Sequence, residues 1–183
     1  MVRSFNKIVP SLLGFLELLF ISIGVFTIVF IFVAKLLIVE GESMVPALAN
    51  GEQLISEKIS VKINPVKRGE IVIFKSPVNS SALIIKRVIG LPGDSVEIQN
   101  GKVLLNGSLL EEKYLANNTV TIGKEKLADN KPFMVPNNSY ILMGDNRQHS
   151  TDSRDWGSIP QENIVGRGLV VYYPLENFRL INH

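Results

Sequence analysis

The sequence predicts a mainly all-β domain over residues 36–183, carried behind one N-terminal transmembrane helix. Three observations predict it: a long uncharged apolar run near the N-terminus, short β-branched stretches bounded by Gly, Pro and Asn, and two Asn-Gly pairs of the kind that close hairpins.

The apolar run comes first. Leu18 to Ala34 reads LLFISIGVFTIVFIFVA, 17 residues without a charge, and extending it back to Ser11 admits only Glu17 and makes 24. As a helix that is about 36 Å, enough to cross a ~30 Å hydrocarbon core with some tilt. A soluble helix apolar on every face needs more surrounding chain than 183 residues supply. Phe32-Val33-Ala34-Lys35 sets bulky residues where a cleavable secretory leader wants small ones, so the run reads as a retained anchor over 11–35. Arg3 and Lys7 precede it, and Lys35 is the only basic residue after it until Lys58. That bias places residues 1–10 in the cytoplasm and 36–183 on the outer face of a cell membrane, with Glu17 a tolerated boundary charge.

Beyond the anchor, Glu70 to Phe74 (EIVIF) and Leu83 to Ile89 (LIIKRVI) read as strands. Ser95 to Leu110 carries Asn100-Gly101 and Asn106-Gly107, two hairpin turns. Tyr140 to Met143 and Gly168 to Tyr172 complete the strands, and residues 111–135 are polar and without period, a strap or small subdomain.

Composition narrows the chemistry. The chain has no Cys, two His and a net charge of +2 with its basic residues scattered. Disulfides and thiolate metal sites are excluded, a zinc site lacks ligands, and neither a nucleic-acid stripe nor a phosphate-binding glycine loop is visible. No cofactor and no metal are expected. His183 is terminal and expected to fray; His149 lies in the polar segment Gly144 to Arg154, and a Ser-His-Asp triad built on it stays open at this point.

Ser43 stands in Gly41-Glu42-Ser43-Met44-Val45-Pro46, where Pro46 fixes φ and Gly41 permits an unusual turn. It lies eight residues past Lys35, at most about 26 Å from the membrane edge. Lys86 interrupts the apolar strand Leu83–Ile89, sharing a face with Ile84 and Val88 while Arg87 shares the other with Leu83 and Ile85. Periodicity leaves open which face is buried. Arg stays charged under burial and Lys does not, so Lys86 is the member of the pair able to act as a base.

Four stretches resemble, in order, the motifs of the bacterial type I signal peptidases, the Ser-Lys leader peptidase family. Val39 to Pro46 is similar to the nucleophile box, and Arg68 to Phe74 to an Arg-Gly-Asp strand with Glu70 in the acidic place. Lys86 to Asp94 is similar to the general-base box, and Gly144 to Arg154 to the box that closes the site. The resemblance implies a coiled antiparallel β-sheet catalytic domain and a serine endopeptidase that cleaves signal peptides from exported preproteins beside a lipid bilayer, through an acyl-enzyme. It implies Ser43 as nucleophile and Lys86 as base, with Ser150 hydrogen-bonded to the Lys86 amine. Asp152 and Arg154 are implied as a bracing ion pair, Asp145 as a support, and Met44 as a wall of the substrate site. Two departures stand out: Gly41 occupies a place where some relatives carry a hydroxyl oxyanion donor, and Ala47 stands where many carry Thr. The region between Asp94 and Gly144 is much shorter than the second domain of larger relatives. A Ser-Lys protease of another purpose and a non-catalytic anchored β-domain are the rival readings.

Overall fold

An apolar stretch with no helix breaker after Pro10 forms helix α1, Val2–Val33. The structure, a computed structural model, describes residues 2–181, without the side chains at 2–11, 29, 31 and 32. The side chains of Arg3 and Lys7, residue 1 of the expected cytoplasmic segment, and His183 lie outside the described residues. Side chains are described without a break over 12–28, and Leu12, Phe15, Leu18, Phe20 and Phe26 are all exposed. Among the described residues no helix is long and apolar enough to cross a membrane. The helix also ends earlier than the anchor expected over 11–35. Ala34 and Lys35 open strand β1, Ala34–Ile38, because Val39 exchanges backbone hydrogen bonds with Glu52 and Gly51 (2.8 and 2.9 Å) and draws the chain into a sheet.

The chain divides into the helix through residue 34 and a β unit from residue 35 on. After β1 the unit runs β2 (Gln53–Glu57), helix α2 (Ser60–Ile63), β3 (Ile71–Lys75), β4 (Leu83–Gly90), β5 (Ser95–Gln99), β6 (Lys102–Leu105) and β7 (Ser108–Leu109). It continues with β8 (Phe133–Met134), β9 (Ser139–Met143), helix α3 (Ser153–Trp156), β10 (Ile159–Pro160), β11 (Ile164–Tyr173) and β12 (Arg179–Leu180). The larger sheet has the order β1-β2-β11-β3-β4-β9-β10, with β12 on β11, and the smaller the order β7-β6-β5-β8. Every strand pair with a described register is antiparallel. Register shifts in β11 and between Val88 and Gly90 of β4 mark bulges, which strengthen twist and curl the sheet.

Packing explains the patterns. Both faces of β3 are buried, Val72 and Phe74 in one apolar cluster and Ile71 and Ile73 in another, so it reads as a continuous apolar run. Ile89 at the far end of β4 enters a third cluster with Val96, Ile98 and Met143, joining the two sheets. Asn100, Gly101, Asn106 and Gly107 all have positive φ (51°, 74°, 51° and 80°), the backbone of type I′ turns, as the two Asn-Gly pairs require. Strand β11 is twice as long as Gly168–Tyr172, since Gly166 and Gly168 mask its apolar pattern. Strand β2, QLISE, alternates in burial, but its Gln, Ser and Glu hide that from composition.

Candidate active site

The turn after β1 is set by Gly41, whose φ of +84° an L side chain rarely adopts; its N–H donates to Asn50 Oδ1 at 2.8 Å. Met44, 2% exposed, anchors the turn in the cluster with Leu48, Leu54 and Ile73. Ser43 next to it points its hydroxyl at β4. There Lys86, paired in register with Val72 of β3, places Nζ 2.6 Å from Ser43 Oγ. Lys86 is 3% exposed. Burial is the main cause that lowers its pKa, from 10.5 to about 8, with Arg154 and Lys124 pushing the same way and Asp152 and Asp145 pulling back.

A cleft of about 360 Å³ opens over this pair, lined by Leu37 to Glu40 on one side, Leu83 to Lys86 on the other, and Ser43 and Met44 between. The two walls are sheet edges. β1 ends the larger sheet, and β4 pairs with β9 only from Arg87 onward, so among the described residues no strand covers Leu83–Lys86 on that side.

Behind the pair runs the loop Gly144–Arg154. Asn146 ties it to the Ser43 turn: its N–H donates to Ser43 O at 3.1 Å and its Nδ2 to Glu42 O at 3.2 Å. Gly144 allows the approach, since a Cβ there would lie 2.4 Å from Ser43 O and 2.3 Å from Ser150 Oγ. Asp152 accepts from Arg154 Nε (2.9 Å) and Nη2 (2.8 Å), from the Gly144 N–H (3.1 Å) and from Ser150 Oγ (2.7 Å). Burial raises the Asp152 pKa, but Arg154 and the other donors outweigh it and hold the carboxyl below its ordinary range. Arg87 lies under Tyr114, 4.1 Å from the ring centroid, and grips Asp145 with two hydrogen bonds of 2.8 and 2.7 Å. Burial pushes Asp145 up against that opposing pair.

Residues 12–173 match the family model described as signal peptidase, peptidase S26. The chain belongs to this family. It is 41% identical to a signal peptidase I of Leptolyngbya laminosa over 79% of this chain and 71% of that one. It is 35% identical to signal peptidase I P of Bacillus subtilis subsp. natto over 92% and 93%. A crystal structure of a signal peptidase I from Enterococcus faecalis V583 overlaps 57% of this chain and 97% of its own, with 30% identity and a TM-score of 0.46. The protein is therefore a serine peptidase of the signal peptidase I type, a hydrolase of the kind that processes signal peptides.

Within the peptidase, Ser43, Met44 and Lys86 meet at the cleft, and Asp145, Asp152 and Arg154 stand behind it. One expected contact differs. Ser150 donates to Asp152, and among the described residues no hydrogen bond joins it to the Lys86 amine. An ionised carboxylate two residues away is a stronger acceptor than an amine already engaged by Ser43. The Asp152–Arg154 pair is buried, at 0% and 1% side-chain exposure, so it is no solvated surface pair. His149 is exposed, and Ser43 Oγ is met by Lys86 instead. Lys86 and Arg87 are both buried although they face opposite sides, so the question of which face is buried had no single answer. No group of three His, Cys, Asp or Glu able to hold a metal occurs among the described residues. Tyr114, Glu112, Thr121, Lys124 and Arg147 had no assigned role in the sequence. Arg147 pairs with Glu112 and donates to Thr121 Oγ1 at 2.6 Å and to Gly144 O at 3.0 Å. Most of these belong to the aperiodic segment 111–135, which offers no pattern to read.

Proposed function

We propose that this peptidase removes signal peptides from exported preproteins with a Ser43–Lys86 dyad, held at a membrane surface by helix α1. The observation that carries the reading is the 2.6 Å contact between Ser43 Oγ and a lysine that is almost wholly buried. A lysine titrating near 8 is uncharged in about one molecule in ten at pH 7. The uncharged amine accepts the Ser43 proton as Oγ attacks the scissile carbonyl carbon, forming a tetrahedral oxyanion. Lys86 then gives that proton to the departing amine, leaving an ester on Ser43. It next takes a proton from water, whose oxygen attacks the ester, and returns it to Ser43 as the signal peptide leaves.

The Ser43 N–H, which no acceptor engages among the described residues, suits the oxyanion. Gly41 has no side chain to add, and its own N–H is committed to Asn50, so no second donor is assigned. The substrate enters as a strand between the edges at Leu37–Glu40 and Leu83–Lys86, its backbone paired with theirs and small side chains seated on Met44 and Ile85. No cofactor or metal takes part. The uncharged run Leu18–Ala34 supports an anchor with the β unit on the outer face. A protein so anchored stays in the membrane fraction through an alkaline wash; release into the supernatant removes that part of the reading.

The test is cleavage of a purified preprotein by the full chain in detergent. Ser43→Ala and Lys86→Ala each abolish turnover while the fold persists. Normal cleavage by both variants refutes the dyad.

A further inference from the structure

The segment between β7 and β8 carries no strand, yet it grips the site loop repeatedly. The Lys126 and Leu127 N–H groups donate to Arg154 O (2.9 and 3.3 Å), and Arg154 Nη1 donates to Ile122 O (3.3 Å). Lys124 makes the most direct contact. Its ammonium donates to the backbone carbonyl of Ser150 at 2.7 Å and pairs with Asp155 Oδ2 at 2.9 Å. That same Asp155 oxygen accepts the Asp152 N–H at 3.0 Å, closing the cap of α3. Lys124 therefore clamps both ends of the stretch that carries Asp152, and does so from a partly sheltered place, 31% exposed.

We propose that Lys124 is a positioning residue of the peptidase: its ammonium fixes the Ser150–Asp155 turn behind the Ser43–Lys86 pair. The proposal rests on the Ser43–Lys86 reading above. The charges around Lys86 come from four places. β4 itself supplies Arg87; the site loop and α3 supply Asp145, Arg147, Asp152, Arg154 and Asp155; the strap supplies Glu112 and Lys124; and Glu40 and Glu42 flank the nucleophile turn. Arg87, Arg147 and Arg154 are each locked to a buried or nearly buried carboxylate, Asp145, Glu112 and Asp152. Lys124 acts on Lys86 in the same direction as Arg154, against Asp152 and Asp145. Removing its charge also leaves Asp155 unneutralised, and both changes tighten the hold of Lys86 on its proton.

The experiment is the pH dependence of kcat/KM on a preprotein, with the full chain in detergent, for wild type, Lys124→Met, Lys124→Arg and Lys124→Met with Asp155→Asn. Lys124→Met moves the acidic limb, the rise of kcat/KM with pH, up by about half a pH unit, an approximately threefold loss at pH 7 that vanishes above the limb. Lys124→Arg keeps the wild-type profile, and the neutral double variant moves the limb back toward it. An unchanged limb in Lys124→Met, or a loss equal at every pH, overturns the proposal while the dyad stands. If Lys86→Ala still cleaves, the dyad itself fails and the proposal falls with it.

Discussion

Lys86→Met removes the amine proposed as the base but leaves a side chain of similar length in the same space. The wild-type lysine is 3% exposed and its pKa falls from 10.5 to about 8, mainly through desolvation. At about 1.36 kcal/mol per pH unit, holding that ammonium in the folded protein costs about 3 kcal/mol at neutral pH. The unfolded chain binds more protons than the folded one between pH 8 and 10.5, so this penalty is fully present below pH 8 and fades as pH rises through the window. The variant escapes it but loses the contact with Ser43, worth about 1 kcal/mol. Lys86→Met is thus more stable than wild type by about 2 kcal/mol at pH 7, a Tm increase of about 4–8 °C for a chain this size. It is inactive, a case of a site held against the stability of its fold. Denaturant or thermal unfolding in detergent at pH 7 and pH 10.5 measures it, the difference shrinking at the higher pH. A variant less stable than wild type at pH 7, or one that keeps the wild-type pH slope, refutes the reasoning.

Three further outcomes follow from the same site. In wild type, if Lys86 is the base as proposed, kcat/KM rises about tenfold per pH unit below about 8 and levels above; a profile flat from pH 6 to 9 contradicts this. Asp145→Asn leaves the buried Arg87 guanidinium without its carboxylate, costing about 3–5 kcal/mol in unfolding free energy, and a loss below 1 kcal/mol shows the pair to be dispensable. Gly144→Ala forces a Cβ to within 2.4 Å of Ser43 O and displaces Ser43, lowering kcat/KM by about 10²-fold; wild-type turnover shows that the two segments can part without harm.

Local chemistry made much of this protein legible before any coordinates. Asn-Gly pairs force positive φ at consecutive residues, so the hairpins joining β5, β6 and β7 are written in four letters. β3 and β4 announce themselves because β-branched runs suit a pleated, buried surface. Strand β2, with its polar Gln, Ser and Glu, and strand β1, fused to the apolar run, carry no such mark.

The family and the order of its motifs are properties of the sequence, because short segments with fixed spacing carry them. The 2.6 Å meeting of Ser43 and Lys86 is not, since the residues stand 43 apart and meet only because the sheet curls and seats the turn after β1 against β4. Burial of both Lys86 and Arg87 likewise needs apolar or paired groups on both faces of one strand, which a period of two cannot announce. The grip of residues 111–135 on the site loop rests on side chain-to-carbonyl contacts without repeat. Only the folded chain, by bringing distant donors and acceptors into one low-dielectric place, decides what they hold.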